Sequence, residues 1–107
     1  MFLRKLGDNW IYSVASRGLA DIFDITPAEL EKELNEREFA KKRVVNRKKY
    51  EEFKASFFTL SQRKGNFEGD IEVYDSSHHV VSVHAIYSCV TGQSNNIAYV
   101  VRATYKY

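Results

Sequence analysis

One cysteine, one proline and one tryptophan occur among the 107 residues of this chain, and no stretch approaches the ~20 consecutive apolar residues of a membrane-spanning helix. With Cys89 alone, an intramolecular disulfide is excluded, and the cysteine count fixes neither a reducing nor an oxidising compartment. Met1 to Leu6 lacks the continuous apolar region of a secretion leader. Net charge is only +2 and the pI is near 8.7, short of the strongly basic footprint expected of a nucleic-acid-binding domain. There is no internal repeat, no low-complexity linker, and no spacing of His, Cys, Ser, Asp or Glu that defines a catalytic or cofactor motif. What is there is the composition of one ordinary folded domain: 44% hydrophobic and 28% charged residues, with seven Tyr and seven Phe to supply large buried surfaces.

Pattern divides the chain into helices first and strands second. From Asn9 to Phe23, Ile11, Val14, Ala15, Gly18, Leu19 and Ile22 recur at three- and four-residue spacing, which predicts an amphipathic helix capped by Asp8 or Asn9 and ending near Asp24. Gly18 in its middle points to the close approach of another element. Thr26-Pro27-Ala28-Glu29 has the cap, proline and glutamate of a capping box, so a second helix starts there. Leu30 and Leu34, then Tyr50, Phe53, Phe57 and Leu60, continue a buried stripe, interrupted by a polar stretch that predicts a break between Asn35 and Asn46. After the turn residues Gly65-Asn66 and Gly69-Asp70, strands are expected over Asp70–Tyr74, His79–Thr91 and from Ile97 to the end, the last two joined by the polar loop Gly92–Asn96. In the final run Ile97, Tyr99, Val101, Ala103, Tyr105 and Tyr107 share one face, while Ala98, Val100, Arg102, Thr104 and Lys106 share the other. The expected fold is α+β, N-terminal helices packed on a C-terminal antiparallel sheet of three to four strands.

Charge is unevenly spread. Glu29, Glu31, Glu33 and Glu36 form an acidic patch, followed by a basic stretch from Arg37 to Lys64. Such a block is most simply the solvated face of a helix, with intrahelical pairs such as Glu33 to Arg37 and Glu38 to Lys42. His78, His79 and His84 cluster, but adjacent strand residues point to opposite faces, which does not make a ligand set. Cys89 reads as a small buried hydrophobe. A pocket between the sheet and the helices could draw on Asp70, Glu72, His84 or Tyr87 as acid and base. No catalytic, cofactor or metal residues are assigned. The candidate partner-binding residues are Lys41, Lys42, Arg43, Arg47, Lys48 and Lys49 of the basic stretch, with Arg102, Tyr105 and Tyr107 of the last strand, whose unpaired edge near Tyr99 to Tyr107 is expected to support self-association.

Three stretches carry a resemblance. Leu19 to Leu30 is similar to a helix followed by a Thr-Pro cap, Ala55-Ser56-Phe57-Phe58 precedes the sheet, and Val81 to Tyr87 with Tyr99 to Tyr105 looks like paired strands. Together they resemble the cystatin-like folds that include the nuclear transport factor group, and within them the periplasmic domain of the TraE family, inner-membrane assembly subunits of conjugative type IV secretion. The spacing from Thr26 to Phe57 is shorter than in that family, and the spacing from Phe58 to Val81 is longer. The resemblance implies a non-enzymatic scaffold domain, periplasmic and part of a membrane-anchored protein, with the sheet and the Thr26 helix making subunit contacts. Two alternatives stand beside it: a cytoplasmic inhibitor from a phage or other mobile element that binds a host protein or nucleoprotein, and a small hydrolase or isomerase with a cone-shaped pocket. Nucleic acid is not the favoured partner.

Overall fold

Two short strands open the chain, the second of them within the stretch from Asn9 to Phe23 where a helix was expected. In the computed structural model, which describes residues 1–6, 9–63, 65–91 and 97–105, β1 (Phe2–Leu6) and β2 (Asn9–Ser13) form an antiparallel hairpin that pairs Leu3 with Tyr12 and Lys5 with Trp10. The period-two alternation explains the difference. Trp10 and Tyr12 face the core with Leu3, while Ile11 and Ser13 take the opposite face with Arg4 and Phe2. Val14 adopts a left-handed φ of 53° that ends the strand, and a short helix α1 (Arg17–Ile22) starts only after Ser16, whose Oγ accepts from the Leu19 amide. The cap is thus Ser16 rather than Asn9, and Asp8 lies outside the described residues. Gly18 meets nothing: a Cβ there would find no atom within 4 Å, so no close approach accounts for it.

The remaining helices follow the sequence reading closely. α2 (Pro27–Asn35) begins at Thr26, whose Oγ1 accepts from the Glu29 amide at 3.2 Å, with Pro27 in the first turn and the Glu29 charge at the positive end of the helix. Thr26→Ala is expected to cost about 1 kcal/mol by orphaning that amide; a thermal melt indistinguishable from wild type would exclude the cap. The expected break contains a short α3 (Phe39–Arg43), entered through Arg37 at φ 63°. Asn46 then caps the long α4 (Arg47–Gln62) by accepting from the Lys49 amide.

β3 (Phe67–Tyr74), β4 (Val80–Thr91) and β5 (Ile97–Tyr105) complete an antiparallel sheet of five strands in the order β2-β1-β5-β4-β3. The fold is α+β, with five strands instead of three to four. β5 is interior because β1 pairs with it: Phe2 lies opposite Val100, Leu3 opposite Tyr99, and Met1 exchanges two backbone hydrogen bonds with Val101. This removes the free edge expected along β5 at Tyr99 to Val101, and Lys106 and Tyr107 lie outside the described residues.

Both sheet edges are occupied along part of their length. On β2, the Asn35 side chain accepts from the Tyr12 amide at 2.8 Å and donates to the Tyr12 carbonyl at 2.9 Å. On β3, Val44 bridges Val73 and the Val45 amide donates to the Glu72 carbonyl. These contacts consume donors and acceptors that an incoming strand would need.

All four helices pack on the face of Leu3, Tyr99, Val83 and Val73. One end of this core is aromatic: Trp10, Phe57, Phe67 and Tyr99 are buried together, with Phe57 5.1 Å from Tyr99 and 5.3 Å from Trp10 between ring centres. The other joins Ala20, Ile22, Phe23 and Leu30 to Val73 and Val83. At Gly69 the ring of Phe53 lies so close to the strand that a Cβ would sit 3.1 Å from it, so a side chain there requires the ring to give way by a few tenths of an ångström.

Candidate functional site

The basic stretch is not all at the surface. Lys41 and Lys42 are exposed on α3, and Arg47, Lys48 and Lys49 on the first turn of α4. Arg43, expected among them, is buried, with Nε and Nη2 donating to the two Glu33 carboxylate oxygens at 3.0 and 2.8 Å. Glu33 therefore does not pair with Arg37, which donates instead to the Leu34 and Trp10 carbonyls. Glu31 is also occupied, accepting from the Ala15 amide. An acidic patch and a basic block in sequence thus become, in part, internal ties between elements.

The acid and base candidates separate across the sheet. Asp70, Glu72 and His84 stand on the outer face, whereas Tyr87 is on the inner face against Phe57. Asp70 and Glu72 line a groove with Asn46, Lys49 and Ser82, while Tyr87 lines a cavity on the other side of the sheet. On the outer face His84 is held between two carboxylates, Nδ1 2.6 Å from Asp70 and Nε2 3.0 Å from Glu68. The hydrogen bond to Asp70, then that to Glu68, raises the His84 pKa, so the ring keeps its proton to higher pH than free histidine. Cys89 is half-buried beside the aromatic core, its amide donating to Asn66.

Register organises the rest of the outer face. Ile86 of β4 lies between Glu68 on β3 and Arg102 on β5 in one row across the strands. The next rows hold Ser88, Val100 and Phe2, then Val90, Ala98, Arg4 and Ile11. Val90 and Val100, 38% and 40% exposed, lie in neighbouring rows with Phe2 and Ile11 on a face that no helix covers among the described residues, while Val80, 53% exposed, stands at the other end of β4. Charge is divided along it: Arg4 and Arg102 stand on the β1–β5 side, Glu68, Asp70 and Glu72 on β3. Arg102 has no ion-pair partner among the described residues. Tyr105, 45% exposed, belongs by register to the helix side of β5. Arg102 was legible as a candidate from its place in the strand. The row it completes was not, because Glu68 and Ile86 join it only through the pairing of three strands.

Comparison with protein-family models, with curated proteins and with solved structures finds no match to this chain.

Proposed function

We propose that this chain is a non-enzymatic protein-interaction domain that self-associates through the outer face of its sheet. The row Glu68–Ile86–Arg102 carries the reading. A two-fold axis running along β4 between two copies sets Ile86 against Ile86 and lays each Arg102 over Glu68 of the second copy, because the opposite charges lie symmetrically about the isoleucine. Stacked sheets lie about 10 Å apart, a gap that a facing arginine and glutamate span. About that axis β3, β4 and β5, of eight, twelve and nine residues, overlie their counterparts and give a footprint of about 460 Å² before side-chain relief, the size of a weak, transient interface and below the ~800 Å² per partner of a standard one. The tied-down edges of β2 and β3 favour association by the face over strand addition.

The cystatin-like assignment and the TraE-like role in a conjugative secretion channel belong to this proposal. Helices laid on one face of an antiparallel sheet support the first, and a self-associating sheet suits the second, although the N-terminal hairpin is an addition to the expected layout.

Sedimentation of a dilution series tests the interface. Wild type is expected to dimerise with a dissociation constant on the order of micromolar. Arg102→Glu and Glu68→Arg should each be monomeric, because each sets like charges opposite one another. Mixed in equal amounts, the two variants should pair with one another. At one end of the row the introduced glutamate then meets the introduced arginine, and at the other the native Glu68 of the first variant meets the native Arg102 of the second. Unchanged sedimentation of Arg102→Glu, or no association in the mixture, sinks the proposal. Both substitutions are on exposed positions and leave the core untouched.

A further inference from the structure

Between the inner face of the sheet and the helices lies an apolar cavity of about 90 Å³, into which β2, α4 and β4 bring Tyr12, Tyr50 and Tyr87. These three phenols have no hydrogen-bond partner among the described residues, and no buried side-chain polar atom there is both sealed from solvent and unpartnered. Burial is the main cause that raises the pKa of all three, and they also act on one another: Tyr12 raises Tyr50, and Tyr12 and Tyr50 both raise Tyr87. The three therefore line one cavity as neutral phenols, able to donate.

Tyr12 and Tyr50 also line a second chamber of about 210 Å³ that adjoins the cavity, together with Trp10, Arg37 and Lys54. Arg37 is fixed there. It sits at a left-handed φ of 63°, and its guanidinium donates to the Trp10 carbonyl at 3.0 Å and the Leu34 carbonyl at 3.3 Å. Those bonds leave further N–H donors of its fork unused. Its charge reaches the phenols, lowering the pKa of both Tyr12 and Tyr50 against the effect of burial. The Lys54 ammonium lies 5.3 Å from the centre of the Tyr50 ring. Two cations lining one chamber, phenols lining both and apolar walls in the other are complementary to a molecule with one anionic end and a hydrocarbon body.

We propose that this cavity and its outer chamber bind a small amphipathic monocarboxylate, its carboxylate held by Arg37, Lys54 and the hydroxyls of Tyr12 and Tyr50, and its hydrocarbon body extending toward Tyr87. The inner space alone is smaller than the ~150 Å³ apolar cavity that accommodates benzene, so the ligand spans both chambers, which suits an unbranched chain. This site lies on the opposite side of the sheet from the proposed dimer face and stands independently of it.

Trp10, the one tryptophan of the chain, lines the outer chamber and serves as the reporter. Octanoate titrated into the full chain is expected to change Trp10 emission saturably, while 1-octanol binds at least about tenfold more weakly for want of the charge. Arg37→Gln should weaken octanoate by about tenfold or more, and Tyr50→Phe, which keeps the ring, by about fivefold. Cooperative thermal unfolding of each variant verifies its fold, and if Arg37→Gln does not fold, Lys54→Gln, which touches no backbone, takes its place with the same expected direction. Emission that does not saturate with octanoate, octanol binding as tightly as octanoate, or affinity indifferent to removal of the cation overturns the assignment.

Discussion

Glu33→Ala is expected to lower the stability of the domain by about 3–5 kcal/mol, the range measured when one member of a buried ion pair is removed. Arg43 is only 8% exposed and gives Glu33 two parallel hydrogen bonds, so deletion of the carboxylate leaves a guanidinium with no partner and little water. A domain of this size has a total stability of about 5–15 kcal/mol, so the loss brings the fold near its limit. The paired replacement separates charge from packing. Glu33→Leu combined with Arg43→Met removes both charges, fills similar volume and is expected to cost far less than either single change. Urea titrations of the singles and the double would show it; a double mutant as unstable as the sum of the singles would mean that the bridge is a bystander. The pair also ties α2 to α3, so the single mutants should lose the exchange protection of the α3 amides first.

Tyr99→Ala carries a comparable penalty, about 3–5 kcal/mol. The side chain is fully buried, with its ring centre 5.1 Å from that of Phe57 and 6.0 Å from that of Trp10, and its hydroxyl donates to the Gly65 carbonyl at 2.8 Å. Truncation opens a cavity among rings that cannot close over it. Tyr99→Phe keeps the ring and loses only the hydrogen bond, a cost of about 1 kcal/mol. Burial pushes the Tyr99 pKa up to about 12. Because the neutral phenol is the form the fold prefers, the stability it contributes is complete below the ordinary tyrosine value near 10 and is lost as pH rises toward 12. Tyr99→Phe should accordingly lessen the loss of stability in that alkaline window. A Tyr99→Ala stability within about 1 kcal/mol of wild type would contradict the packing described.

How much of this was legible depends on how local the signal is. The Thr26 cap, the break after Asn35 and the three C-terminal strands depend on neighbours within a few residues, and all are in place, except that β3 starts at Phe67 and takes in Gly69 and Asp70, which were expected as a turn. The hairpin escaped because Ile11, Val14, Ala15 and Leu19 keep helical spacing by coincidence across a strand, a left-handed residue and a short helix. The strand signal, Trp10 and Tyr12 on one side with Ile11 on the other, is only a few residues long and has meaning once β1 is its partner. Glu33 and Arg43, ten positions apart in a charged stretch, look like solvated helix-face residues, and only the turn between α2 and α3 buries them together. The row on the outer face and the three phenols are assembled from distant parts of the chain, and no spacing in sequence encodes them.

The placement of β5 between β1 and β4 has a consequence for how the molecule is made. The hydrogen bonds between Met1 and Val101 join groups 100 residues apart, so the hairpin cannot dock until β5 has been synthesised. Until then β1 and β4 each present a naked edge to the cell, the state in which strands of different molecules pair with one another. Closing so long a loop is slow compared with forming a helix, so α1 to α4 should be in place before the sheet is sealed. A nascent chain that loses the β5 segment would therefore yield two sticky fragments of sheet instead of a slightly smaller domain.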